Sequence, residues 1–189
     1  MTKVAMILGH DLLEPNEDTR VYREALSLVK SGYEVTVFCW ARRMEKYETK
    51  WEVERDGINV VRIFEELEGG FFSKVRGFWR AMKQLQLKVE EYGAAVIHAH
   101  DLETLEAAVS AAKKNDAKVI FDSHEDWPMM ESVQNWFIGK YYQRKQKKLL
   151  KSIDALLTVS DELALRLGGG TVLYNSEPVG VVERPVENH

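Results

Sequence analysis

The chain has 189 residues, enough for one domain with a full hydrophobic core. Apolar residues make up 45% and charged residues 30%, a soluble globular balance, and a net charge of −4 argues against a general nucleic-acid binder. The single cysteine, Cys39, excludes an internal disulfide and a cysteine-rich metal site, and its setting in VTVFCW marks a buried strand residue rather than a nucleophile.

In chain order, KVAMIL (Lys3 to Leu8) is a continuous apolar run, as in a central strand buried on both faces. A polar loop, GHDLLEPNEDTR, follows. Asp18 is placed to cap a helix whose apolar face is Val21, Tyr22, Ala25, Leu26 and Val29, with Gly32 in the left-handed position after its end. YEVTVFCW is the second strand, completing a parallel crossover. Residues 41–56 are charged and mixed, without a period. INVVRIF (Ile58 to Phe64) is a third strand, and Phe71 to Tyr92 a long helix stopped by Gly93. Strands at Ala95 to His98 and Lys118 to Asp122 enclose a helix at Leu102 to Lys114. Glu131 to Ser152 is a second long helix with a basic run, QRKQKKLLK. DALLTVS is a strand ending in a cap for the helix DELALRL, glycines 168–170 break that helix, and TVLYN is a last short strand. The alternation predicts an α/β, Rossmann-like, doubly wound sheet of about six or seven mostly parallel strands flanked by helices. Residues 1–175 form one domain, and residues 176–189 a linker.

Each strand of the stretch Val96 to Trp127 ends in a histidine-carboxylate cluster: His98, His100 and Asp101, then Asp122, His124 and Glu125. In a parallel sheet such ends share one edge, where ligands bind. His100 and His124, with Asp101 and Glu125, can position and polarise hydroxyls or supply an oriented base. His98 and Asp122 read as internal groups satisfied by backbone amides, and Asp101 or Asp126 as a helix cap. A metal site is the alternative, requiring donors from both strands within ~2.0–2.2 Å of one ion; it ranks behind, and no metal ligand is assigned. Gly9 stands alone after the first strand and the second ends in Trp40-Ala41-Arg42, so an NAD or FAD site is not expected. The helix start at Asp18 and Thr19, with Arg20, can receive an anion or hydroxyl, or be a simple cap with a solvated arginine.

Two helices interleave aromatics with cations: Phe71, Phe72, Phe78 and Trp79 among Lys74, Arg76, Arg80, Lys83 and Lys88, and Trp136, Phe137, Tyr141 and Tyr142 ahead of a lysine-arginine run. For either helix alone, aromatics facing the sheet and cations facing water is the favoured reading. Together they raise contact with an anionic membrane surface. The apolar run at the start is too short for a signal peptide, and no run of about 18 apolar residues occurs, so a cytoplasmic protein, peripheral at the inner membrane face, is expected.

DTRVYREALSLVKSGYEVTVFCW, VIHAHDLETLEAA, KVIFDSHE, DALLTVSDELALRL and TVLYNSEP, in this order, resemble successive motifs of the N-terminal half of retaining glycosyltransferases of the GT-B fold, in the large family-four group. The resemblance runs from Lys3 to about Pro178. It implies an acceptor-side domain in which His124 is the active-site histidine, His100 and Asp101 form the acceptor-side turn, Ser160 is the strand-end serine and Asn175 marks the crossing to a second domain. It further implies sugar transfer from a nucleoside diphosphate donor with retention, no metal, no cofactor held by this domain, and a glycan, lipid-linked or other hydroxyl acceptor. The first loop departs from the glycine-rich loop of many relatives. The chain also ends where the donor-binding domain should begin, so a C-terminal domain in cis is the expected partner and weak nucleotide-sugar binding is expected of this half alone. Competing readings are a metal-dependent hydrolase built on the two clusters, a non-catalytic glycan- or partner-binding α/β module and, more weakly, a nucleotide-sugar epimerase.

Overall fold

The computed structural model of the chain describes residues 1–13, 17–41, 52–126 and 136–174. Its elements are β1 (Lys3–Leu8), α1 (Thr19–Lys30), β2 (Glu34–Ala41), β3 (Glu52–Arg55), β4 (Ile58–Phe64), α2 (Phe71–Tyr92), β5 (Val96–His100), α3 (Asp101–Asn115), β6 (Lys118–Ser123), α4 (Trp136–Leu149), β7 (Ala155–Thr158), α5 (Asp161–Leu167) and β8 (Thr171–Val172). They form one sheet of eight strands in the order β3-β4-β2-β1-β5-β6-β7-β8. Every neighbouring pair is parallel except β3 with β4.

The eighth strand is β3, which lies in the segment read as having no period. Its residues are mostly exposed, so Glu52–Arg55 shows no buried alternation, and the strand exists because it pairs antiparallel along β4 at the sheet edge. Asp56, at φ 55°, and Gly57, at φ 80°, make the tight turn between them. The second long helix is described over Trp136–Leu149 and tightens into a 3₁₀ turn at Leu150–Ser152; residues 131–135 of the predicted span lie outside the described residues.

Local signals explain the other boundaries. Asp18 Oδ1 accepts from the Val21 amide at 3.1 Å and starts α1, and Gly32 leaves it at φ 87°. Ser160 accepts from the Leu163 amide and starts α5. β1 is apolar throughout because both faces are covered. Ala5 and Ile7 join Trp40, Leu85, Ile97, Ala99, Leu105 and Phe121 in a core under α2 and α3. Val4, Met6 and Leu8 join Val21, Tyr22, Ala25, Val37 and Cys39 in a second core under α1. Since all but β3 run the same way, the carboxyl ends of the parallel strands share one edge with the N-termini of α1, α3 and α5.

Candidate functional site

Strand periodicity places the site. Ile97, Ala99 and Phe121 point into the core under α2 and α3, so His98, His100 and Asp122 point to the opposite face, toward α1. The register sets His100 directly beside Asp122. α1 lies on that face and brings Arg20 and Glu24, one turn apart, over the ends of β5 and β6.

Asp122 is the hub. Its side chain is fully buried and accepts from Arg20 Nη2 at 2.9 Å on both carboxylate oxygens. His124 Nε2 lies 3.0 Å from Asp122 Oδ2, and His100 Nδ1 lies 3.6 Å from the same oxygen. Arg20 Nε also donates to Glu24 Oε1 at 3.0 Å. Asp122 was expected to be held by backbone amides; it is held by side chains instead, which is what a buried carboxylate needs to stay ionised. Burial pushes its carboxyl upward, but the hydrogen bond from His124 and the charges of His124 and Arg20 prevail and hold it below the usual range.

His124 is fixed from two sides. Its ring rests on Asp122, and its backbone amide donates to Asp101 Oδ1 at 3.2 Å. Burial lowers its affinity for a proton, but the hydrogen bond to Asp122 and the charges of Asp101 and Asp122 reverse that, so the imidazole titrates above its ordinary value. Asp101 does not cap its own helix. It sits at φ 63°, a left-handed conformation that costs a non-glycine residue energy, and this turn aims its carboxylate at the β6 turn. Its pKa is raised, chiefly by burial. The preceding carbonyl, of His100, accepts from Thr104 Oγ1 at 2.7 Å, which secures the turn.

The remaining candidates divide. Asp18 caps α1 and takes His10 Nε2 at 2.9 Å, so His10, unnoticed in the sequence, joins the rim. Glu125 is exposed at the same turn, where its carbonyl accepts from Ser123 Oγ. Asp126 pairs with Arg166 at 3.0 Å, and the residues that follow it lie outside the described ones. Ser160 stands at the end of β7 on the same edge, as the cap of α5; Asn175 lies outside the described residues. Gly9, at the end of β1, meets Glu103 of α3: a Cβ there would lie 1.5 Å from Glu103 Oε1, so only glycine lets that carboxylate approach.

His98 and Glu24 lie behind Asp122. His98 Nε2, both ring nitrogens of His100, and Glu24 Oε2 are buried without a hydrogen-bond partner among the described residues. The His98 and His100 rings are 4.3 Å apart. Burial holds His98 down to about 4 and His100 well below its ordinary value, so both are neutral at pH 7. Glu24 is raised, first by burial and then by Asp122. The one His/Cys/Asp/Glu group among the described residues whose donor atoms converge as metal ligands would is Glu24, His98, His100 and Asp122, all within 4.8 Å of one another. The metal alternative read from the sequence included His98, His100 and Asp122 but added Asp101, His124 and Glu125, and it lacked Glu24.

On the opposite face, the aromatics of the two basic helices do not all turn inward as expected. Phe78 and Tyr142 pack on the core, whereas Phe71, Phe72, Trp79, Trp136, Phe137 and Tyr141 are exposed. Lys145 Nζ lies 4.9 Å from the Trp79 ring, so α2 and α4 present these side chains near one another. Among the described residues, no helix is long and apolar enough to cross a membrane.

A family model described as Glycosyltransferase Family 4 matches residues 18–187. Among solved structures, a sucrose-phosphate synthase from Thermosynechococcus elongatus is similar over 92% of this chain and 47% of its own, at 16% identity and a TM-score of 0.60. An Escherichia coli trehalose-6-phosphate protein bound with UDP-2-fluoro glucose is similar over 87% of this chain and 41% of its own, at 13% identity and a TM-score of 0.58. A trehalose-6-phosphate synthase studied for glycosyl transfer with retention is similar over 86% of this chain and 41% of its own, at 12% identity and a TM-score of 0.55. The chain thus spans less than half the length of each of these three. Among curated proteins, none matches the chain in sequence.

Proposed function

This chain belongs to glycosyltransferase family 4, with the fold of a GT-B N-terminal domain, and we propose that it is the acceptor-binding half of a retaining enzyme that transfers a sugar from a nucleoside diphosphate donor to a hydroxyl acceptor. The observation that carries the proposal is the double fixation of His124, its ring on Asp122 and its amide on Asp101, at the sheet edge. Transfer needs an acceptor hydroxyl held beside the leaving diphosphate and polarised there. His124 donates a hydrogen bond to a sugar hydroxyl, while Asp101 holds the acceptor; His100, 2% exposed, stands behind the rim rather than on it. Asp18, Arg20 and Glu125 complete the acceptor rim. Retention and the nucleotide donor are supported by what the solved relatives are described as doing or binding.

The diphosphate charge is neutralised elsewhere. Glu103 places a carboxylate against Gly9, where the first loop meets the edge, and that charge repels a phosphate. A donor-binding domain, joined in cis beyond Ser160 and Asn175, supplies the cations, and residues 176–189 lead to it. In the protein that unites both halves, His124→Ala should lower kcat by about 10²–10⁴-fold with the fold intact by circular dichroism. Near-normal turnover overturns the assignment.

The exposed aromatics of α2 and α4, set among lysines and arginines, support peripheral contact with an anionic bilayer, bringing a lipid-linked acceptor to the site. The chain should cosediment with vesicles containing anionic lipid and leave them as salt rises. Equal recovery with neutral vesicles, or none with either, counts against the lipid reading.

A further inference from the structure

Behind Asp122, four buried polar atoms find no hydrogen-bond partner among the described residues. They are Glu24 Oε2, His98 Nε2 and the two ring nitrogens of His100, in residues from α1 and β5. His98 is 5% exposed and His100 2%. Leaving such atoms unsatisfied in a protein interior costs about 1–3 kcal/mol each, so a protein that keeps them together has something for them to bind. We propose that Glu24, His98, His100 and Asp122 form a buried site for one divalent transition ion of the zinc class. This inference shares Asp122 with the transferase reading, and the two are tested apart.

The chemistry of the donors fits that class. Two imidazoles and two carboxylates make a four-ligand N/O set suited to zinc, whereas calcium and magnesium favour oxygen ligands alone. Buried ring nitrogens of both histidines make no hydrogen bond among the described residues, so they are open to a ligand bond. The donor atoms lie within 4.8 Å of one another. Tetrahedral zinc holds its ligand atoms about 3.4 Å apart, so an inward shift of roughly an ångström by the side chains closes the site. Arg20 and His124 already orient the Asp122 carboxylate, in the way outer partners orient metal-binding carboxylates.

An ion also has a path in. A cavity of about 510 Å³ lies on the α1 face between α1 and the strands β7 and β8; Leu28, Ile120, Leu157 and Leu173 line it, and Glu24 and His98 reach its wall. The ion would sit away from the rim where His124 and Asp101 meet, linking α1 to β5 and β6. It therefore serves as a structural clip.

The test is a titration of the chelator-stripped chain with zinc or cobalt. One ion per chain is expected, with the visible spectrum of tetrahedral cobalt and a melting temperature raised by about 5–10 °C at a hundredfold excess over Kd. His98→Gln and Glu24→Gln should each abolish stoichiometric binding, while His124→Gln, which removes only an outer partner of Asp122, should weaken it by about 10–100-fold. Anomalous scattering at the zinc edge from crystals of the unaltered chain gives the position even where a variant fails to fold, and a peak between Glu24 and His98 is expected. No stoichiometric binding, or an ion bound elsewhere, overturns the site and leaves the transferase reading untouched. Lost sugar transfer in His124→Ala with zinc still bound separates the two in the other direction.

Discussion

The strands β5 and β6 carry two buried faces that differ by one residue of register and by all of their chemistry. Ile97, Ala99 and Phe121 face α2 and α3; His98, His100 and Asp122 face α1. Both sets are almost completely removed from water. The first is satisfied by contact alone, in an apolar core shared by strands and two long helices. The second is satisfied only where a charged group arrives from another element, as Arg20 does from α1. Equal burial therefore says little about role. What separates packing from function is where each buried polar atom finds its partner, and most of the described ones that find none lie on the α1 face.

Paired substitutions on neighbouring residues of β6 test this contrast directly. Phe121→Ala leaves a cavity in a two-sided core and should cost about 3–5 kcal/mol by denaturant unfolding. Asp122→Asn keeps the volume but removes the charge that Arg20 and His124 share. It should cost about 1.5–3 kcal/mol, the range for hydrogen bonds to a charged group, less than the cavity does. A larger loss for Asp122→Asn would make the polar cluster, rather than the apolar core, the main support of β6. A loss near zero would mean that the Arg20 pair merely offsets its own desolvation.

The sequence made one face far more legible than the other. Apolar runs such as KVAMIL and the helix period of Val21, Tyr22 and Ala25 report burial locally, so seven strands, their order of appearance and the cap at Asp18 could be read directly. β3 could not, because Glu52–Arg55 is held by its edge pairing to β4 rather than by a buried face. Among the candidate residues, His100, Asp101 and His124 could be singled out because strand-end histidines beside carboxylates are a local signal. The partners of Asp122 were misread and the approach of Glu24 to the histidines missed for a common reason: α1 meets β5 and β6 only in the fold. Arg20 reaches Asp122 across 102 positions, and no periodicity encodes that meeting. The Arg20-Glu24 spacing of one turn was the only local hint. The buried pair of Arg62 with Asp11, 2.5 Å apart and linking β4 to the first loop, was hidden for the same reason.

Cys39 sharpens the comparison from within the α1 face. It is as buried as Asp122 and also ionisable, but burial, reinforced by the charge of Asp11, pushes its thiol up to about 12 from an ordinary 9.0. Asp122 stays charged because its cationic and hydrogen-bonding partners overcome the same burial. Cys39 has no such surplus and stays neutral, so at pH 7 it adds nothing to a pH dependence. Above pH 9 the unfolded chain releases the thiol proton and the folded chain keeps it. The folded state then binds more protons, and stability falls as pH rises from about 9 toward about 12. Cys39→Val removes this contribution while nearly conserving volume. The difference in unfolding free energy between the two proteins should be constant below pH 9, then shift in favour of the variant by up to about 1.4 kcal/mol per pH unit. A difference that stays flat through pH 10.5 would mean that the folded thiol ionises as readily as the unfolded one, and that the strand beneath α1 admits water. In that case the charged state of Asp122 would owe less to Arg20 and His124 than its hydrogen bonds imply, because the face around it would not be dry enough to make those partners necessary.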